Sequence, residues 1–208
     1  FHHGTMPAER LDPEQEHLSL AGLHLDDLGP FHIQSLRCLR TLNLSSNRLS
    51  SLGPVADLGS LLALDVSRNR LTHLPQFAQG SGLQTLDASQ NRLVSSRGLL
   101  YCFQLRAVDL RHNKLKRVEQ LETLSELWEL DVSFNHLPAV ERSLRTLALN
   151  TGLSILNVAG NPLANTPAHR NRIGALVPSV RWVDGVKVSS GPGGAGRRVD
   201  SAERRSAP

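Results

Sequence analysis

The chain has 208 residues, 39% of them hydrophobic and 20% charged, enough to bury one sizeable core. Leucine fills 38 positions against five Phe, two Trp and one Tyr, a composition that favours a repeated small unit over a one-off globule. The net charge is +4, and Arg197, Arg198, Arg204 and Arg205 against Asp200 and Glu203 place half of it in residues 189–208; the near-neutral body excludes nucleic-acid binding as the default, and no apolar run reaches the ~18 residues of a membrane span.

Along the chain, Phe1-His2-His3-Gly4-Thr5 before Met6 reads as a tag remnant, which sets His2 and His3 aside as ligands. A lead-in follows over residues 6–16, with Pro7, Glu9, Arg10 and Asp12 and no apolar stretch of a secretory leader. Leu18, Leu20, Leu23 and Leu25 then open a pattern that becomes regular. Asparagines recur at 47, 69, 91, 113, 135 and 161, at intervals of 22, 22, 22, 22 and 26. The first full unit is Leu39-x-x-Leu42-x-Leu44-x-x-Asn47-x-Leu49, and five more follow in the same frame.

Each Leu-x-Leu predicts a short strand with its leucines turned inward, stacked in parallel on the next at about 4.8 Å. A buried Asn per turn predicts a ladder in which its amide donates to backbone carbonyls and its oxygen accepts backbone N–H groups. The spacing of Leu52, Val55 and Leu58, or of Val118, Leu121 and Leu124, predicts a 3₁₀ or short helical return limb. The fifth unit is four residues longer, and Pro138–Leu149 reads as an α-helix burying Val140, Leu144 and Leu147 and stopped by Gly152. Further on, Thr166 is placed to N-cap a helix that starts at Pro167 and ends at Pro178. The Gly/Pro/Ser/Arg-rich stretch from Ser189 reads as a disordered basic tail, either a terminus or a linker to further chain.

These units resemble leucine-rich repeats. The 22-residue period resembles the subfamily typified by the nuclear regulatory subunit of protein phosphatase 1, and residues from Asn161 through Trp182-Val183-Asp184-Gly185 resemble the C-terminal cap of such domains. The resemblance covers residues 17–188. It implies an α/β solenoid with a parallel concave sheet and a 3₁₀ or short helical convex side. It also implies an intracellular scaffold or adaptor that docks a protein on its concave face. Relatives of this kind point, by analogy, to cytoskeletal, ciliary or centrosomal attachment. Two alternatives stand beside that reading: a targeting or regulatory domain of a larger enzyme or phosphatase complex, and a spliceosomal-type repeat protein associated with nucleic acid.

Reading concave positions by column gives the candidate site. Between the inward leucines lie Asn43, Asp65, Asp87, Asp109, Asp131 and Asn157. Stacked aspartates repel by roughly 1 kcal/mol per pair in water-like surroundings, with Arg68, Arg106 and Arg111 near enough to offset this. Two readings stand: an acidic stripe that receives Lys or Arg from a partner, or side chains bonded to local hydroxyls such as Ser67, Ser89 and Ser133. Trp128 follows the first leucine of its unit and Phe134 precedes the ladder Asn, so the fifth strand presents two aromatics in a chain poor in them. With Arg106, Arg111 and His112 one strand away they make a protein-binding hot spot, unless they pack on the long fifth unit or the end segment. As anchors they predict that Trp128→Ala and Phe134→Ala weaken binding by about 2 kcal/mol each and leave the melting temperature nearly unchanged.

No catalytic, cofactor or metal motif is found. Gly191-Pro192-Gly193-Gly194 lacks the helix and Lys of a phosphate loop. His112 beside Asp109 has no nucleophile elbow to serve. Cys38 and Cys102 form neither a CxxC nor the cysteine clusters that close extracellular repeat domains, and this favours a reducing, cytoplasmic home. For the same reason the sequon Asn43-Leu44-Ser45 reads as a chance product of the strand motif.

Overall fold

The computed structural model describes residues 11–188. The tag remnant, residues 6–10 of the lead-in and the basic tail from Ser189 lie outside the described residues.

Because each repeat places one leucine, or valine in β5, at the centre of a three-residue strand, the strands stack without shift. β1 (His17–Ser19), β2 (Thr41–Asn43), β3 (Ala63–Asp65), β4 (Thr85–Asp87), β5 (Ala107–Asp109), β6 (Glu129–Asp131) and β7 (Ile155–Asn157) pair in parallel and in chain order. Leu18, Leu42, Leu64, Leu86, Val108, Leu130 and Leu156 stand in one row. β8 (Trp182–Val183) continues the sheet in parallel and β9 (Val186–Lys187) turns back antiparallel at its edge. The core is the space between this sheet and the return limbs, filled almost wholly by Leu and Val. The result is an open leucine-rich-repeat solenoid.

The asparagine ladder is continuous. Asn91 is typical: its Nδ2 donates to the carbonyls of Val66 (2.9 Å), Ala88 (3.2 Å) and Ser89 (3.1 Å), and its Oδ1 accepts the Leu71 N–H (3.0 Å). Each amide thus ties its own turn to the preceding coil and pairs backbone groups that are buried there. The residue before each ladder asparagine is left-handed: Ser46, Arg68, Gln90, His112 and Phe134 have φ between 52° and 58°, and Gly160 has φ 69°. That conformation costs a non-glycine residue about 1 kcal/mol. It is offset because the same residue's N–H reaches the next coil, as in His112 to Ser133 (3.0 Å) and Phe134 to Ala159 (2.7 Å).

Three expectations need correction. The 3₁₀ return limb forms at Gly53–Val55 and Arg97–Leu99, but the fourth coil buries Val118, Leu121 and Leu124 without a regular helix. The long fifth limb is α-helical only over α1 (Val140–Leu144) and continues as 3₁₀ over Arg145–Leu149. Leu147 is buried as expected while Leu149 points outward. The tighter winding brings Asn150 inward, where Nδ2 donates to the carbonyls of Leu121 and Leu124 and Oδ1 accepts the N–H groups of Gly152 and Leu153. Finally, α2 spans His169–Leu176 and starts after Ala168 at φ 57°. Thr166 is not its cap, because its hydroxyl donates back to the Leu163 carbonyl (2.6 Å) and closes the preceding 3₁₀ turn.

Candidate functional site: the concave groove and its rims

The inner curve of the sheet is an open trough of about 610 Å³. One row of its floor is small, with Thr41, Ala63, Thr85 and Ala107 side by side until Glu129. The row beside it is Asn43, Asp65, Asp87, Asp109, Asp131 and Asn157, in register on successive strands.

Why acids recur there is visible in the turns. Oδ1 of Asp65 accepts the Ser67 N–H (2.9 Å), that of Asp87 the Ser89 N–H (2.9 Å), and that of Asp109 the Arg111 N–H (2.9 Å). Asp131 repeats the bond to the Ser133 N–H (2.8 Å) and alone also takes a hydroxyl, Ser133 Oγ at 2.6 Å. The local partner common to the column is therefore a backbone amide two residues on, and a serine hydroxyl joins it only at Ser133. The second oxygens differ. Asp109 Oδ2 pairs with Arg111 Nε at 3.2 Å and Asp131 Oδ2 accepts from Asn157 Nδ2 at 3.2 Å. Among the described residues, no side chain pairs with the second oxygens of Asp65 and Asp87. Burial pushes the Asp109 carboxyl from 3.8 up to about 6; the Arg111 amide pulls the other way, and the charges of Asp87 and Asp131 add to the rise.

The remaining candidates divide between two rims. Arg106 and Trp128 immediately precede β5 and β6, on the edge where the strands begin. Trp128 is 53% exposed and lines a shallow depression with Ser154, Arg181 and Lys187. Arg68, His112 and Phe134 stand on the opposite edge, where the strands end, each in the left-handed position. Trp128 and Phe134 are thus separated by the length of β6 rather than gathered into one anchor. The Phe134 ring is stacked on His112, with centres 4.4 Å apart and planes 2° from parallel. Its other face lies over Gly160, where a Cβ would stand 2.7 Å from Phe134 Cε1. So Phe134 is 51% exposed yet both ring faces have neighbours.

At the far end, Asp184 stands in for a strand carbonyl. In the inner coils the residue after each strand donates its N–H to the next strand's last carbonyl, as Leu110 does to Asp131 and Val132 to Asn157. After β7 no such carbonyl follows. Asp184 Oδ1 accepts the N–H groups of Val158 (2.8 Å) and Ala159 (2.9 Å) in its place. Asp184 Oδ2 lies 3.3 Å from His169 Nε2. The only sequence signal is an acid directly after the apolar dipeptide Trp182-Val183.

Among the described residues, no group of three or more His, Cys, Asp or Glu is arranged to hold a metal ion, and no helix is long and apolar enough to cross a membrane. Cys38 and Cys102 are free thiols, and burial raises that of Cys102 to about 11.

Comparison with known proteins agrees with the fold. The Leucine Rich Repeat family model matches residues 38–59, the first full unit. A leucine-rich-repeat protein of Leptospira interrogans superposes with TM-score 0.65 at 26% identity, over 76% of this chain and 40% of that one. An internalin of Listeria monocytogenes gives TM-score 0.61 at 21% identity, over 77% of this chain and 44% of that one. Internalin C2 of the same organism gives 0.64 at 21%, over 84% and 73%. The chain thus spans less than half the length of the first two. No curated protein sequence matches it. In fold, the chain is a leucine-rich-repeat protein, a class whose members generally mediate protein–protein interaction.

Proposed function

We propose that this protein is a non-enzymatic binding module that takes a segment of a protein partner into the concave groove, and that the segment brings Lys or Arg side chains to the aspartate row. One observation carries the reading. Asp65 and Asp87 each use one oxygen to hold their own turn and leave the other unpaired among the described residues, at the floor of an open trough. Carboxylates prepaid in geometry and short of a partner are suited to charge-assisted hydrogen bonds. The small Thr and Ala row beside them leaves room for a main chain. Trp128, Arg106, His112, Phe134 and Arg68 then contact the partner from the rims and Arg111 from within the trough, with Trp128 the exposed aromatic anchor.

We read the segment from Asn161 to Val188 as the cap of a 22-residue-repeat domain of the phosphatase-regulator type. The setting we favour is cytoplasmic, with a cytoskeletal, ciliary or centrosomal partner. The two free cysteines support a reducing compartment.

The test is affinity capture with the intact chain beside two variants. Asp65→Asn with Asp87→Asn removes charge but keeps the turn acceptors, and Trp128→Ala removes the anchor. Both should melt within a few degrees of the parent, and each should lose the protein that the parent captures. A captured protein retained equally by all three would overturn the groove as the site.

A further inference from the structure

The turn that follows each strand carries a second charge pattern on the opposite sign. Residues 44–51, 66–73, 88–95 and 110–117 contain no Asp or Glu. The position after the ladder asparagine is Arg48, Arg70, Arg92 and Lys114 in four consecutive coils, all exposed. Their backbones are held in register: Arg48 N–H donates to Leu25 O (2.8 Å), Arg70 to Leu49 (2.9 Å), Arg92 to Leu71 (2.8 Å) and Lys114 to Leu93 (2.9 Å). The repeat therefore sets four cations in single file about 5 Å apart at their roots, a line about 15 Å long.

Among the described residues these side chains hold no other part of the fold. The described residues contain seven ion pairs, and none involves Arg48, Arg70, Arg92 or Lys114. Among the described residues they form no side-chain hydrogen bond either, in contrast to the aspartates of the groove, each of which holds its own turn. A row of like charges with no internal counter-charge repels itself at every step, so an anionic chain laid along it gains at each coil.

The geometry points to an acidic protein segment, rich in Asp or Glu and extended along the solenoid axis, as the ligand of this edge. About five extended residues span the row. Two observations favour such a narrow ligand over a nucleic acid. The aspartate row of the groove lies one turn away and repels a polyanion wide enough to straddle both. The aromatic pair on this edge, His112 and Phe134, is closed on itself and on Gly160, which leaves no free ring face on Phe134 for a base. This surface is separate from the groove and does not depend on the groove being a site.

The experiment is fluorescence anisotropy of a labelled ten-residue glutamate peptide titrated with the full chain, at two salt concentrations. Four proteins are compared: the parent, Arg70→Gln with Arg92→Gln, Arg37→Gln with Arg142→Gln as an equal charge change at exposed positions elsewhere, and Asp65→Asn with Asp87→Asn. The expected result is saturable binding that weakens with salt and falls about tenfold only in the Arg70/Arg92 variant, whose melting temperature is unchanged. Equal loss in the Arg37/Arg142 variant would reduce the effect to net charge and overturn the proposal. So would no binding by the parent. A ten-nucleotide single strand or a phosphatidylserine vesicle that binds more tightly than the peptide, and through Arg70 and Arg92, would overturn the acidic segment as the ligand.

Discussion

The imidazole of His112 lies flat on the ring of Phe134, with 4.4 Å between centres and 2° between planes. Both residues precede the ladder asparagine of their coils, and both are left-handed, at φ 54° and 52°. Register, not proximity in sequence, brings them together. The next member of the column is Gly160, and the absence of a Cβ there is what lets the Phe134 ring lie flat.

Gly160→Ala should therefore destabilise the fold by about 1–3 kcal/mol, since it adds both left-handed strain and a clash with Phe134. Phe134→Ala alone should cost about 1 kcal/mol through loss of the stack, more than expected of a free surface anchor. In the double variant the steric part should vanish. A double-mutant cycle by urea unfolding reads this directly, and strict additivity would deny the contact.

Asn91→Ala removes one acceptor and one donor group that together serve four buried backbone partners. The expected loss is about 3 kcal/mol in chemical denaturation, because the orphaned groups stay buried. A loss under about 0.5 kcal/mol would mean that water replaces the amide.

Asp109 gives a pH signature. Its folded value, about 6, lies above the ordinary 3.8, so between these the folded chain holds the proton more tightly than the unfolded one. The stability due to this group is thus complete at low pH and declines as pH rises through about 6. Asp109→Asn keeps the acceptor for the Arg111 N–H and removes the decline, giving up only a half-exposed ion pair. The variant should match the parent near pH 4 and exceed it at pH 8, by at most about 3 kcal/mol. Urea midpoints measured from pH 4 to 8 check both sign and window.

Asp184→Ala strips the acceptor from the Val158 and Ala159 amides at the end of the sheet. In a solenoid, coils contact mainly their neighbours, so damage should stay local. Hydrogen exchange should show protection lost at Val158 and Ala159 while Leu86 in β4 keeps its own. Asp184→Asn, which retains an oxygen, should restore much of it. Uniform loss across the sheet would contradict the assigned role.

Much of this was legible in one dimension. A period of 22 with leucine and asparagine at set offsets dictates strand, turn and ladder, because each unit meets the same neighbour and stacking copies local geometry from coil to coil. The columns of Asp and of exposed side chains followed from that register alone. Tertiary structure decided what falls outside the repeat. The fifth limb is split between α1 and a 3₁₀ turn, and that winding carries Asn150 inward to the Leu121 and Leu124 carbonyls. Trp128 and Phe134 sit on opposite rims because left-handed backbone after the strand carries Phe134 to the far edge. Asp184 works through atoms 25 and 26 residues away. A repeating sequence specifies interactions between identical units, whereas an end, an insertion or a ring seated on a neighbour depends on contacts that occur once.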